Sequence, residues 1–163
     1  MKIFLIECAV FIVLFTATVV TIAKTHDPVS YIFDYPQPIV DRVYEMGLIP
    51  SAENVVSTSV KVKKMTVALL IGVIMGFVVS KVNHAETFLQ GFLIVYGLWL
   101  VVDWYDVLLD IVWFCHDKSL VIPGTEDLVD SYHDYMYHVK ASAKGVLLGI
   151  PAAIISGIVC ALL

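Results

Sequence analysis

The chain has 163 residues, of which 60% are hydrophobic and 15% charged, with mean hydropathy +0.88 and net charge −5. Soluble domains run at about 45–50% apolar and about 25% charged residues. The composition excludes a disordered chain, a basic nucleic-acid-binding domain and an ordinary cytosolic enzyme, and reads as a membrane protein. At ~20 apolar residues per span the length allows about four spans and short connections.

The first apolar run covers residues 3–23. It is too long for a typical signal-peptide core and has Glu7 inside it, so it reads as a retained span. The connection 24–64 holds Asp34-Tyr35-Pro36-Gln37-Pro38, an extended turn, because proline disfavours a helical residue before it. Ile39, Val40, Val43 and Tyr44 then alternate with Asp41, Arg42 and Glu45 as a short amphipathic helix. That helix is suited to a membrane surface or to a simple covering role. The second span covers 65–80, the third 88–115 and the fourth 145–163. None shows the alternation of a barrel strand. The expected fold is an all-α integral membrane protein, a single domain. It is a four-transmembrane-helix bundle with a cytosolic-side helical extension, 126–144, leading into the fourth span.

Basic residues set the orientation. Lys24, Arg42, Lys61, Lys63 and Lys64 follow the first span, and Lys118, Lys140 and Lys144 follow the third. Only Lys2 and Lys81 fall on the opposite side. Eight against two places both long connections in the cytosol and both termini outside.

Small residues recur every four positions on two spans. They are Ala68, Gly72, Gly76 and Ser80 on the second, and Gly145, Gly149, Ala153, Gly157 and Ala161 on the fourth. Such stripes permit close approach of helices in lipid. They serve either packing of these two spans or a homo-oligomer interface. Pro151 is expected to kink the fourth span. Cys8, Cys115 and Cys160 are far apart in apolar surroundings and read as packing residues, not a disulfide or zinc framework.

The unusual stretch is 103–138. Eight of the chain's 15 acids (Asp103, Asp106, Asp110, Asp117, Glu126, Asp127, Asp130 and Asp134) lie there with one lysine, Lys118, up to Asp134. His116, His133 and His138 fall in the same stretch. Asp103, Asp106 and Asp110 are spaced i, i+3, i+7, within about 60° on one helix face. At ~1.5 Å per residue from Phe88, Asp103 is ~22 Å along the span and Asp110 ~33 Å. Intramembrane carboxylates are costly and face a bundle interior or wet cavity. Pro123-Gly124 marks a turn, Thr125 is a candidate N-cap, and Glu126 and Asp127 suit the positive end of a helix. On that helix Glu126, Asp130, His133 and Tyr137 share a face, with Asp134 and His138 beside it.

Oxygen-rich ligands suit Mg, Mn or Ca, and carboxylates mixed with imidazole suit Mn, Fe or Zn, so the expected cofactor is a divalent ion, Mg or Mn first and Zn or Fe next. The expected ligands are Asp106, Asp110, Glu126, Asp130 and His133. Asp103, Asp134, Asp117 and His116 are secondary, and His133, His138 and Tyr137 are candidate catalytic groups. The run Asp103-Trp104-Tyr105-Asp106-Val107-Leu108-Leu109-Asp110 has the form DxxDxxxD and resembles the aspartate-rich motif of intramembrane prenyltransferases. Glu126, Asp130 and Asp134 loosely resemble their second motif. The resemblance covers some eight residues and implies a Mg-held diphosphate. Val102 stands where that family usually has asparagine, and the chain has about half its number of helices.

Three functions fit the sequence. One is a metal-dependent enzyme acting on a lipid-borne phosphate or other head group at the cytosolic interface. The second is a cation or proton transporter, or a channel subunit, using the same acids. The third is an accessory subunit of a membrane complex. The partners expected are the bilayer, a lipid substrate and further copies of the chain, with no nucleic acid.

Overall fold

The computed structural model describes residues 2–52 and 58–163, apart from the side chains of 58–61 and 64. Part of the 24–64 connection and the side chains of Lys61 and Lys64 therefore lie outside the described residues. Helix α1 is Lys2–Thr25, α2 Gln37–Glu45, α3 Thr58–Val82, α4 Phe88–Val112, α5 Val129–Tyr132 and α6 Tyr135–Leu162. Short 3₁₀ segments occupy Pro28–Asp34, Phe114–His116 and Lys118–Leu120. No strand occurs among the described residues. Helices α1, α3, α4 and α6 are long and apolar enough to cross a membrane. Only 6% of the most apolar window of α1 is buried inside the protein, against 33% for that of α6. Most of the apolar surface of α1 therefore faces outward.

Local chemistry explains where these helices begin. The Thr87 hydroxyl accepts the Gln90 amide at 3.3 Å, and the Gln90 side chain accepts the Thr87 amide at 3.2 Å. This reciprocal box satisfies two orphan donors at the start of α4. Asp134 starts α6 by accepting the Tyr137 amide at 3.1 Å. Helix α6 then runs through Pro151 to Leu162.

The expected helix over 126–144 is not formed as one piece. Four-residue α5 stops at His133, whose φ −94° and ψ 16° leave the helical region, and α6 starts anew. Thr125 is not an N-cap. It is fully buried, and its hydroxyl donates to the Ile122 carbonyl at 2.7 Å. The Tyr132 hydroxyl accepts the Ile122 amide at 3.0 Å and donates to Thr125 at 2.6 Å. This ring uses the Thr125 oxygen within the turn, and Asp134 takes over as the cap.

Helix α6 packs along α4 on one side and α3 on another, while α1 leans chiefly on α4. Glycine permits both contacts of α6. A Cβ on Gly72 or Gly76 of α3 would lie 2.6 Å from the Ala152 carbonyl oxygen or from Val159. A Cβ on Gly145, Gly149 or Gly157 of α6 would strike Asp103, Trp99 or Phe88 of α4. The glycines of α3 thus meet α6, whereas those of α6 meet α4. Side chains of α4 also bond the α6 backbone. The Trp99 indole donates to the Gly145 carbonyl at 3.0 Å, and the Tyr96 hydroxyl to that of Val146 at 3.3 Å. In return the Ser142 hydroxyl of α6 donates to the Asp103 carbonyl at 3.3 Å.

Two cores result. One lies inside the bundle, around Cys8, Met75, Val79, Val95, Leu98 and Cys160. The other is a cap at one end of it, built from Tyr31, Ile32, Tyr35, Ile39, Val40, Val43, Phe114, Leu120, Ile122 and Tyr132. The apolar face of α2 is spent on this cap: Ile39 and Val43 are fully buried. The Tyr35 hydroxyl donates to the Leu120 carbonyl at 2.8 Å. Arg42 grips both carboxylate oxygens of Asp127 at 3.1 Å. The connection after α1 and the connection after α4 therefore form one structure at one end.

Filling a glycine contact tests the packing. Gly72→Val pushes a side chain into the Ala152 backbone, which cannot swing aside, and should cost about 1–3 kcal/mol. Thermal unfolding in detergent should show a lowered Tm, while Leu147→Val at a site 65% exposed should leave it unchanged.

Candidate functional site

The face of α4 that carries Asp103, Asp106 and Asp110 looks into a cavity of about 550 Å³. α6 contributes Tyr137, His138 and Ser142, α1 contributes Phe15, Val19 and Ile22, and the segment before α2 contributes Asp34. A second cavity of about 440 Å³ continues inward. It shares Phe15, Asp103 and Asp106 with the first. Its remaining lining is apolar: Phe11, Ile71, Met75, Val95, Leu98, Trp99, Val102 and Ala152. Among the described residues neither lining includes a lysine or arginine.

One ion pair anchors the polar cavity. His138 Nδ1 lies 2.7 Å from Asp110 Oδ2. The imidazole is only 5% exposed, with Phe114 and Tyr137 edge-on to it at centroid distances of 5.8 and 5.3 Å. Donation from Nδ1 to the carboxylate fixes the ring's orientation. The first turn of α6 places His138, and the last turns of α4 place Asp110. The Tyr137 hydroxyl donates to the Phe33 carbonyl at 3.1 Å, which holds the segment carrying Asp34 against the cavity. Deeper in, Asp103 packs on Gly145 and has a buried carboxylate oxygen, Oδ2, without a hydrogen-bond partner among the described residues.

The expected five-ligand metal set is divided. Asp106 and Asp110 line the cavity, but Glu126, Asp130 and His133 are exposed on the cap. The break at His133–Asp134 is the reason, since it ends the face that would have aligned them with Tyr137. Among the described residues no three His, Cys, Asp or Glu side chains come together to hold a metal ion.

Several cap acids have local duties instead. The Gly124 amide holds the Glu126 carboxyl below its ordinary range through a bond of 2.9 Å. Arg42 does the same for Asp127. Asp117 accepts the Ser119 hydroxyl, the Ser119 amide and the Trp113 indole at 2.7–2.9 Å, and these bonds hold its carboxyl low. Asp134 caps α6. His116 bonds the Tyr135 hydroxyl at 3.2 Å and lies beside His133, ring centroids 4.9 Å apart.

Sequence reasoning missed Asp34 as a cavity residue and read only a turn there. No local signal marks it, because its place depends on how the first connection folds back on α4 and α6. Ser142 and Phe15 were equally silent. At the far end of the bundle, Asn83 Nδ2 donates to Glu7 Oε2 at 3.0 Å. Apolar side chains of the inner cavity lie between this pair and the three aspartates.

Two outcomes are expected. His138→Ala leaves Asp110 without its counter-charge and should cost about 3 kcal/mol. Adding Asp110→Asn should recover part of that loss, which a double-mutant thermal unfolding cycle measures. The depressed Asp117 carboxyl contributes stability above its unfolded-state pKa and loses it as pH falls through its lower folded-state value. Protection of the cap amides, corrected for the intrinsic pH dependence of amide exchange, should therefore fall below about pH 4, and Asp117→Asn should flatten that dependence.

Comparison of the chain with protein-family models, curated proteins and solved structures gives no match.

Proposed function

We propose that this chain is an integral membrane protein that binds and exchanges protons and other cations in the acid-lined cavity of its bundle. In this reading α1, α3, α4 and α6 cross the bilayer, both termini are outside, and the cap is cytosolic. Four apolar helices with outward apolar surface support the insertion, and the eight-to-two bias of basic residues supports the orientation. The joining of the two long connections in one cap agrees with their sharing a side.

One observation carries the function: three carboxylates about one helical turn apart share a cavity with a histidine, and among the described residues no lysine or arginine lines it. Carboxylates at such a depth persist where protons or cations occupy them. The Asp110–His138 pair stands nearest the cap and is the natural first acceptor. A proton accepted by the Asp110 carboxylate displaces its bond to His138 and passes to Asp106, four residues away, and then to Asp103, three residues further along α4. Ser142 and Tyr137 supply hydroxyls along the same wall.

The metal-dependent lipid-phosphate enzyme needs Glu126, Asp130 and His133 opposite Asp106 and Asp110. Their exposed positions on the cap favour the cation reading over it.

The test is dissipation of an imposed pH gradient in proteoliposomes, followed with an entrapped pH-sensitive dye. The parent protein should dissipate it faster than empty vesicles, and Asp106→Asn should slow that excess at least tenfold while keeping the parent's Tm. An Asp106→Asn rate equal to the parent's would overturn the proposal.

A further inference from the structure

The two cavities differ in chemistry but share Phe15, Asp103 and Asp106. One end offers carboxylates, and the other offers Phe11, Trp99, Met75, Val95 and Leu98. A bare proton or inorganic ion has no use for a 440 Å³ apolar chamber beside its acids. That volume lies in the ~300–1,000 Å³ range of small-molecule sites, which are mostly apolar with a few placed polar groups. We propose that the substrate is a lipophilic organic cation, its charge held by Asp106 and Asp103 and its apolar body seated against Phe11, Phe15 and Trp99. The proposal rests on the cation reading above and names the substrate class of that same site.

Charge complementarity decides the sign. The titratable side chains shared by the two cavities are the carboxylates of Asp103 and Asp106; in the outer cavity the His138 imidazole is committed to Asp110, and Tyr31 and Tyr137 add phenols. Asp34 adds a further carboxylate from the segment before α2. An anionic amphiphile in the inner cavity would meet the Asp103 and Asp106 carboxylates and, among the described residues, no lysine or arginine. Asp103 also keeps a buried oxygen without a partner among the described residues, and a cation would satisfy it. The aromatic rings of Phe11, Phe15 and Trp99 add cation–π attraction.

The route of entry is lateral. Phe11 and Phe15 come from α1, Ile71 and Met75 from α3. Both helices line the chamber, and α1 leans chiefly on α4. A solute dissolved in the bilayer reaches the chamber between them without crossing the cap. Once seated, the cation competes with protons for Asp106 and Asp103, which couples its release to protonation.

The experiment measures equilibrium binding of three probes to the full chain in lipid nanodiscs. Tetraphenylphosphonium supplies charge and apolar body, tetraphenylborate the same body with opposite charge, and tetramethylammonium the charge alone. Tetraphenylphosphonium should bind saturably, more weakly as pH falls, and at least tenfold more tightly than either control. Asp106→Asn should weaken it at least tenfold, and Phe15→Ala should weaken it several-fold; Tm readings confirm that each variant is folded. Equal uptake of tetraphenylphosphonium and tetraphenylborate, or an unchanged affinity in Asp106→Asn, would overturn the proposal. No tetraphenylphosphonium binding, with Asp106-dependent dissipation of the pH gradient intact, sinks the organic-cation assignment and leaves the proton reading standing. Absence of both sinks the two together.

Discussion

The close approach of α4 and α6 is the constraint on which the other features depend. In the proposed membrane setting hydrophobic burial provides little drive between helices, so contact distance and interhelical hydrogen bonds must suffice. Gly145, Gly149 and Gly157 remove the side chains that would hold α4 away. Trp99 and Tyr96 can then reach α6 backbone carbonyls, and Ser142 an α4 carbonyl. The same approach draws Asp103 over Gly145 and brings Asp110 to His138. A bulkier α6 would separate the charges as well as the helices.

The cap fixes the other boundary of the site. Tyr35 is nearly fully buried, and burial pushes its phenol well above the ordinary range, so it stays neutral and donates to Leu120. Around it Phe114, Tyr31 and Tyr132 form aromatic contacts with ring centroids 5.2–6.1 Å apart. Through Tyr137 and Phe33 this cluster controls where Asp34 sits. The surface acids of the cap, Asp117, Glu126 and Asp127, serve turns and one exposed ion pair. Exposed pairs contribute little each, so the aromatic core carries most of the cap's stability.

The cavity is therefore amphipathic by construction. Its outer part is lined by carboxylates and a paired imidazole, and its inner part by aromatic and aliphatic groups. α1 closes it from one side with few other attachments.

Much of this architecture was legible without coordinates. The four long helices follow from hydropathy, a property of consecutive residues, and the common face of Asp103, Asp106 and Asp110 follows from the 3.6-residue period. The glycine stripes marked contact faces for the same reason, though not which neighbour each one meets: those of α3 meet α6, while those of α6 meet α4. The partner of Asp110 was decided only in three dimensions. Spacing favoured His133 on an unbroken helix, but burial of Thr125 in the cap turn removed its capping role, and Asp134 restarted the helix one register later. That change exposes His133 and buries His138 against Asp110. Asp34 joins the same cavity across about seventy residues of chain, a meeting that no local pattern encodes. Periodicity reports which residues share a face, whereas the choice between competing caps and the meeting of distant segments depends on what the whole fold buries.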